Sequence, residues 1–187
     1  ALPVYVNYKS ALRLEPLYKE QASAVYWFSQ WMLAKCYLGM FATLRELDTG
    51  LELSIEEPRA TAIAERLEYA SHNVDLLQEF EISLDGFSRD VEKVLDHCSR
   101  SRLILFFDDA AHAFSPDQQR DFFEFFRKIK SARVSPKAAI YPGVTILSPS
   151  FHIGHDAELI DVWINPYTSD YLPFMKGLLR KRLGDAA

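Results

Sequence analysis

Apolar positions along this chain fall into short continuous runs and into longer stretches at three- and four-residue spacing, the signatures of buried strands and of helices with one apolar face. Leu2-Pro3-Val4-Tyr5-Val6-Asn7 reads as a strand, with its proline confined to the start. An irregular segment to Pro16 precedes a long helix from about Leu17 to Leu47, in which Val25, Phe28, Trp31, Met32, Leu38, Phe41 and Leu44 recur at helical spacing. Acidic, polar sequence from Asp48 to Pro58 connects to a shorter helix around Ala60 to Tyr69. Asp85 reads as the N-cap of a helix running to about His97, with Phe87, Val91, Val94 and Leu95 on one face.

The run Leu103-Ile104-Leu105-Phe106-Phe107 then predicts a strand buried on both faces and ending in Asp108-Asp109. Ser115-Pro116 is a helix start, since serine caps free amides and proline suits the first helical position. The helix packs through Phe122, Phe126 and Ile129, with Phe123 and Phe125 alongside. Lys137 to Gly143 reads as a third strand stopped by Pro-Gly, and the alternating residues Glu158 to Ile164 as an edge strand. Thr168 or Ser169 opens a last helix to about Leu183, with Leu172, Met175, Leu178 and Leu179 inside. Four strands separated by helices predict an α/β fold with a mainly parallel sheet and helices on both faces.

With 187 residues, 49% of them apolar, the chain can bury one good core. A net charge of -5 speaks against general nucleic-acid binding, which rests on clustered cations. Ala24 to Leu44 has the length of a membrane span, but Gln30 and Lys35 stand near its middle. A central lysine costs a few kcal/mol in lipid, so the stretch reads as a core helix. Cys36 and Cys98 have no metal or redox spacing, which fits a reduced, cytoplasmic setting.

Two carboxylates at the C-terminal end of a buried parallel strand stand where α/β proteins place ligands, and they suit magnesium and phosphate. Leu103 to Asp109 resembles the Walker B motif of the P-loop NTPases, and the order of elements is most similar to AAA+ proteins of the origin-recognition type and to STAND ATPases. The resemblance implies an ATP-binding and hydrolysing regulatory ATPase, with Asp108 holding Mg2+ through water and Asp109 in the place of the catalytic acid. It also implies a sensor strand at Ala138 to Tyr141, with Tyr141 and Thr145 as candidates for the polar group near the γ-phosphate. Neither is the asparagine common in AAA+ proteins. On this resemblance residues 1–165 form a partial ATPase core, and 166–187 begin a helical lid. A protein partner or homo-oligomer would be the target of the switch.

The G-x-x-x-x-G-K-[ST] loop that cradles phosphates in the family is missing from these residues. The expectation is therefore that the natural protein is longer at its N-terminus or that the fold differs from the family, and that the chain by itself binds ATP poorly. Two other readings start from different residues. Asp108, Asp109 and His112, or the loop Phe151-His152-Ile153-Gly154-His155-Asp156, offer mixed ligands for a metal-dependent hydrolase or nuclease, although the histidines equally suit turn capping or exposure to water. A non-catalytic interaction module, in which Asp108 and Asp109 only cap a turn, is the third. The basic run Arg127, Lys128, Lys130, Arg133 and Lys137 is expected to lack acidic neighbours; it offers a contact for nucleic acid or phosphate, but reads more readily as the solvated end of a helix, with no aromatic residues interleaved for stacking. Arg102, Arg120 and Arg133 are available as arginine fingers, and nothing in the sequence selects among them.

Overall fold

The computed structural model describes residues 1–8, 14, 24–69, 81–108, 115–141, 143–162 and 164–184. Three strands, β1 (Leu2–Val6), β2 (Leu103–Phe107) and β3 (Val134–Ala138), form a parallel sheet in the order β1-β2-β3. The helices are α1 (Ala24–Glu46), α2 (Glu57–Tyr69), α3 (Leu84–His97), α4 (Pro116–Ile129) and α5 (Tyr171–Leu183). The chain divides into two compact units, 1–151 and 152–187.

An α/β architecture with a parallel sheet is what the alternation of patterns predicts, and among the described residues the helices cover one face of that sheet. Leu2, Val4 and Val6 are buried, as are Leu103, Leu105 and Phe107, and strand pairing aligns them in rows on the same face. Gly39 of α1 meets Val4 on that face, and Phe122 of α4 packs on Phe107 there. The opposite face carries Tyr5, stacked on Phe106 with ring centroids 5.1 Å apart, and Lys137; Tyr5 is 71% exposed. The strand order supplies the reason. The winding does not reverse along β1-β2-β3, and right-handed crossovers, the general rule, would in that order put their helices on the same side.

Two strand predictions shift. β3 starts at Val134 and ends at Ala138, earlier than the predicted Lys137 to Gly143. Val134 and Pro136 lie opposite Leu103 and Leu105, so burial of that pair sets the register, and the ladder's last bond is Ala139 N–H to the Phe107 carbonyl at 3.0 Å. Proline fits in this strand because odd-numbered residues face β2: Arg133 accepts from Leu103 and Ala139 donates to Phe107, so position 136 turns its missing N–H to the outer edge. Within the predicted edge strand Glu158 to Ile164, none of the described residues forms a strand. Leu159, Ile160 and Val162 are exposed there, and their alternation finds no partner among the described residues.

Helix α1 is buried on most of its circumference, with Phe28, Trp31, Met32, Ala34 and Cys36 inaccessible to solvent, while Val25 is exposed. No helix among the described residues is long and apolar enough to cross a membrane. Cys36 and Cys98 are free thiols, and burial pushes the Cys36 thiol up from its usual range. Its polar members are satisfied: Gln30 exchanges two hydrogen bonds with the backbone of Ile82, at 3.0 and 2.7 Å, and Trp31 Nε1 donates to Glu68 of α2 at 2.9 Å. Lys35 lies 3.4 Å from the same carboxylate.

Gly39 permits α1 to approach the strand edge. A Cβ at this position would stand 2.6 Å from the Tyr5 carbonyl oxygen and 2.9 Å from Val4 Cγ1. Gly39→Ala should therefore destabilise the fold by about 1–3 kcal/mol, overriding alanine's better helix propensity. Urea unfolding would show it as a lower midpoint with an unchanged slope.

Helix starts divide. At α4 the expected cap is present and completed as a capping box, in which the Ser115 hydroxyl accepts from Gln118 N–H and Gln118 Oε1 accepts from Ser115 N–H at 2.9 Å. At α3 the cap is Ser83, accepting from Gly86 N–H at 2.9 Å, and Asp85 sits in the first turn. At α5 the start is Tyr171 after Asp170, with no side-chain cap, and none of its residues is buried. The expected inward positions Leu172, Leu178 and Leu179 are 60%, 39% and 49% exposed.

Candidate functional site

Parallel strands deliver their C-terminal ends to one edge of the sheet, and polar residues gather there. Asp108 follows Phe107 directly and is exposed beyond the middle strand. On one side Asn7 follows β1; on the other, Tyr141 lies two residues past Ala139, the last residue bonded to β2. Asp109 and His112 lie outside the described residues.

Tyr141 and Thr145, both singled out for the same role, are joined in a tight turn. Tyr141 N–H donates to Thr145 Oγ1 at 2.9 Å, and the Tyr141 carbonyl accepts from the amides of Val144 and Thr145 at 3.1 and 3.0 Å. Gly143, with φ of 78°, occupies the left-handed region inside this turn. The strand predicted to reach Tyr141 therefore ends before it, and a turn presents the residue instead.

Immediately after this turn the chain lies along α4, through residues that sequence reasoning missed. Ile146 N–H donates to Gln119 Oε1 at 2.7 Å. The Glu124 carboxylate accepts from the hydroxyls of Ser148 and Ser150 and from Arg127 at 2.8 Å. Phe151 closes the segment against Phe123 and Phe126, with ring centroids at 5.0 and 5.8 Å. The serine hydroxyls, and then the Arg127 guanidinium, hold the Glu124 carboxyl down at about 2. Because this folded-state value lies below the ordinary one, the stabilisation is complete above the usual glutamate range and is lost as pH falls towards 2. The only sequence cue was a polar helix face, which looks identical whether it meets water or another segment.

In the second unit the His152 to Asp156 loop is organised around its own carboxylate. Buried Asp156 accepts from His152 N–H at 2.8 Å, and His155 Nδ1 lies 3.2 Å from its other oxygen. Gly154, at φ 92°, donates to the Ala157 carbonyl at 2.8 Å and closes the turn. His152 and His155 face water, and among the described residues no three His, Cys, Asp or Glu side chains form a group able to hold a metal.

The basic run does have acidic partners, contrary to expectation. Arg127 pairs with Glu124 one turn back, and Arg133 reaches Asp96 of α3 at 2.6 Å across a sequence gap that local inspection could not span. Arg120 pairs with Asp117 at 2.6 Å, and Arg102 donates to the Ala132 carbonyl at 3.2 Å, so all three candidate arginine fingers are engaged within the first unit.

No protein-family model, curated protein or solved structure matches this chain.

Proposed function

We propose that this chain is the acidic, metal-binding half of an ATP-hydrolysing regulatory ATPase of the P-loop type. The observation that carries the reading is the placement of Asp108 at the C-terminal end of the middle strand of a parallel sheet. A hard cation prefers carboxylate and water oxygens, and phosphoryl transfer is catalysed chiefly by charge and positioning, so an exposed acid fixed by a buried strand has the required character. Asp109, next in sequence, takes the role of the acid that orients the attacking water. The turn holding Tyr141 and Thr145 follows the adjacent strand and supplies hydroxyls on the same edge of the sheet.

Residues 166–187 open the lid in this reading, and nucleotide turnover switches the lid together with attached domains or a partner. The exposed apolar residues of α5 suit a helix made to be covered by further protein.

The test is magnesium-dependent ATP binding by calorimetry, on this chain and on the protein from its natural start. Binding by the longer protein alone is the expected result, because the phosphate loop is missing from these residues. Within the binding-competent protein, Asp108→Asn should weaken magnesium-dependent binding roughly 10–100-fold, the usual effect of losing a group that holds a metal through water. Asp109→Asn should retain binding and abolish turnover. Absence of binding by either form overturns the ATPase reading and directs attention to metal analysis of the His152 and His155 loop.

A further inference from the structure

We propose that residues 146–151 form a strap on α4 whose task is to position the Tyr141–Thr145 turn, with Gln119 and Glu124 as the positioning residues. The strap has three separate anchors along one helix. Gln119 takes the amide of Ile146, the residue immediately after Thr145. Glu124 takes both serine hydroxyls further along, and Phe151 fills the space over Phe123 and Phe126. The anchors are not surface decoration: Gln119, Ser148 and Phe151 are all buried.

The helix that carries these anchors also receives the chain from the Asp108 side. Its first turn is fixed by the Ser115–Gln118 capping box, and Gln119 is the next residue, so one rigid turn of helix ends the Asp108 connection and pins the segment after Thr145. Helix α4 thereby holds the segment that follows the Tyr141–Thr145 turn from a support whose own start is fixed. From Phe151 the chain passes directly into the second unit at His152, and the strap fixes the point of departure. Glu124 acts through the strap, as acceptor for its serines.

A role for Tyr141 and Thr145 in nucleotide sensing rests on the ATPase reading, but the strap itself can be measured without nucleotide. The experiment is amide hydrogen exchange by NMR on the 187-residue chain, comparing wild type with Glu124→Ala, Glu124→Gln and the double variant Ser148→Ala/Ser150→Ala. Glu124→Ala and the double serine variant should speed exchange about ten-fold at Ile146, Ser150 and Phe151, in line with loss of a hydrogen bond to a charged group, and also at Tyr141. Glu124→Gln should restore most of the protection, since its amide oxygen still accepts from the serines. Amides of α3 should remain unchanged and serve as the folding control.

Unchanged exchange at Tyr141 and Ile146, with effects confined to Ser150 and Phe151, would overturn the proposal by showing a local clasp that transmits nothing. No effect at any of these amides would overturn it as well. Neither result bears on ATP binding, so failure of the strap and failure of the ATPase reading are told apart.

Discussion

Phe122→Ala is expected to destabilise the protein by about 3–5 kcal/mol, the range for removing a fully buried aromatic ring from a packed core. Phe122 lies at 5.4 Å from Phe107 of β2, 5.1 Å from Phe123 and 6.1 Å from Phe126, measured between ring centroids. Tyr8, just beyond β1, meets the same ring edge-on at 6.2 Å, and Tyr8 in turn packs on Trp31 of α1 at 5.5 Å. One ring therefore fastens the helix that follows Asp108 to the strand that ends in it, and its loss opens a cavity where α4, the sheet and the α1 contacts converge. Because stiff aromatic neighbours collapse poorly into a void, the cost should fall near the top of the range. Chemical denaturation monitored by circular dichroism measures it, and Phe122→Leu, which keeps much of the volume, should recover more than half of the loss. Equal stabilities for Phe122→Ala and wild type would show that this cluster does not fasten α4.

Asp90→Ala should cost about 3 kcal/mol through a different mechanism. The Asp90 carboxylate is buried on α3 and accepts from three donors: Tyr37 Oη of α1 at 2.7 Å, the Ser54 amide, whose one N–H is shared between both oxygens at 3.0 and 3.1 Å, and the Ser54 hydroxyl. Removing the carboxylate leaves the buried Tyr37 hydroxyl without this acceptor, and an unsatisfied buried donor carries its desolvation cost in full, whereas Ser54 is exposed and its donors can turn to water. Burial, more than the carboxylate beside it, raises the Tyr37 phenol above its usual range. Asp90→Asn retains one acceptor oxygen but turns an amide towards donors, and should lie between alanine and wild type. Thermal unfolding of the three proteins orders them, and an asparagine variant no better than alanine would show that the charge, rather than hydrogen-bond acceptance, secures this junction.

The two predictions differ in what could be read beforehand. Phe122 and its neighbours were legible because three- and four-residue spacing in a helix leaves no other face for so many rings. Asp90 was not legible: a carboxylate in an amphipathic helix ordinarily faces water, and the segment carrying Ser54 gives no periodic signal. The same division separates Asp108 from Glu124. Asp108 stands out because it terminates a run of five apolar residues, whereas Glu124 lies among charged residues on α4, and its serine partners are 24 and 26 positions away.

Misread elements have physical causes too. Glu158 to Ile164 alternates as a strand does, yet alternation shows only that two sides differ, and a strand also requires a neighbour to satisfy its backbone. Ser83 replaced Asp85 as cap because the helix begins where a side-chain oxygen can reach the third amide ahead, which Ser83 does for Gly86. The spacing of apolar residues in α5 was read as a buried face, but amphipathic spacing shows that a helix has a face, not that something covers it.

The sequence by itself determined most of the helices, the first two strands and the parallel α/β class, since apolar periodicity, the Ser115-Pro116 start and the run into Asp108 are written within a few residues of one another. Tertiary structure alone decided the strand order, which strand residues are buried, and the long-range partners of Asp90, Glu124 and Arg133. These depend on which segments meet, and that is settled by the handedness of crossovers and by competition among buried surfaces, neither of which leaves a local trace in the chain.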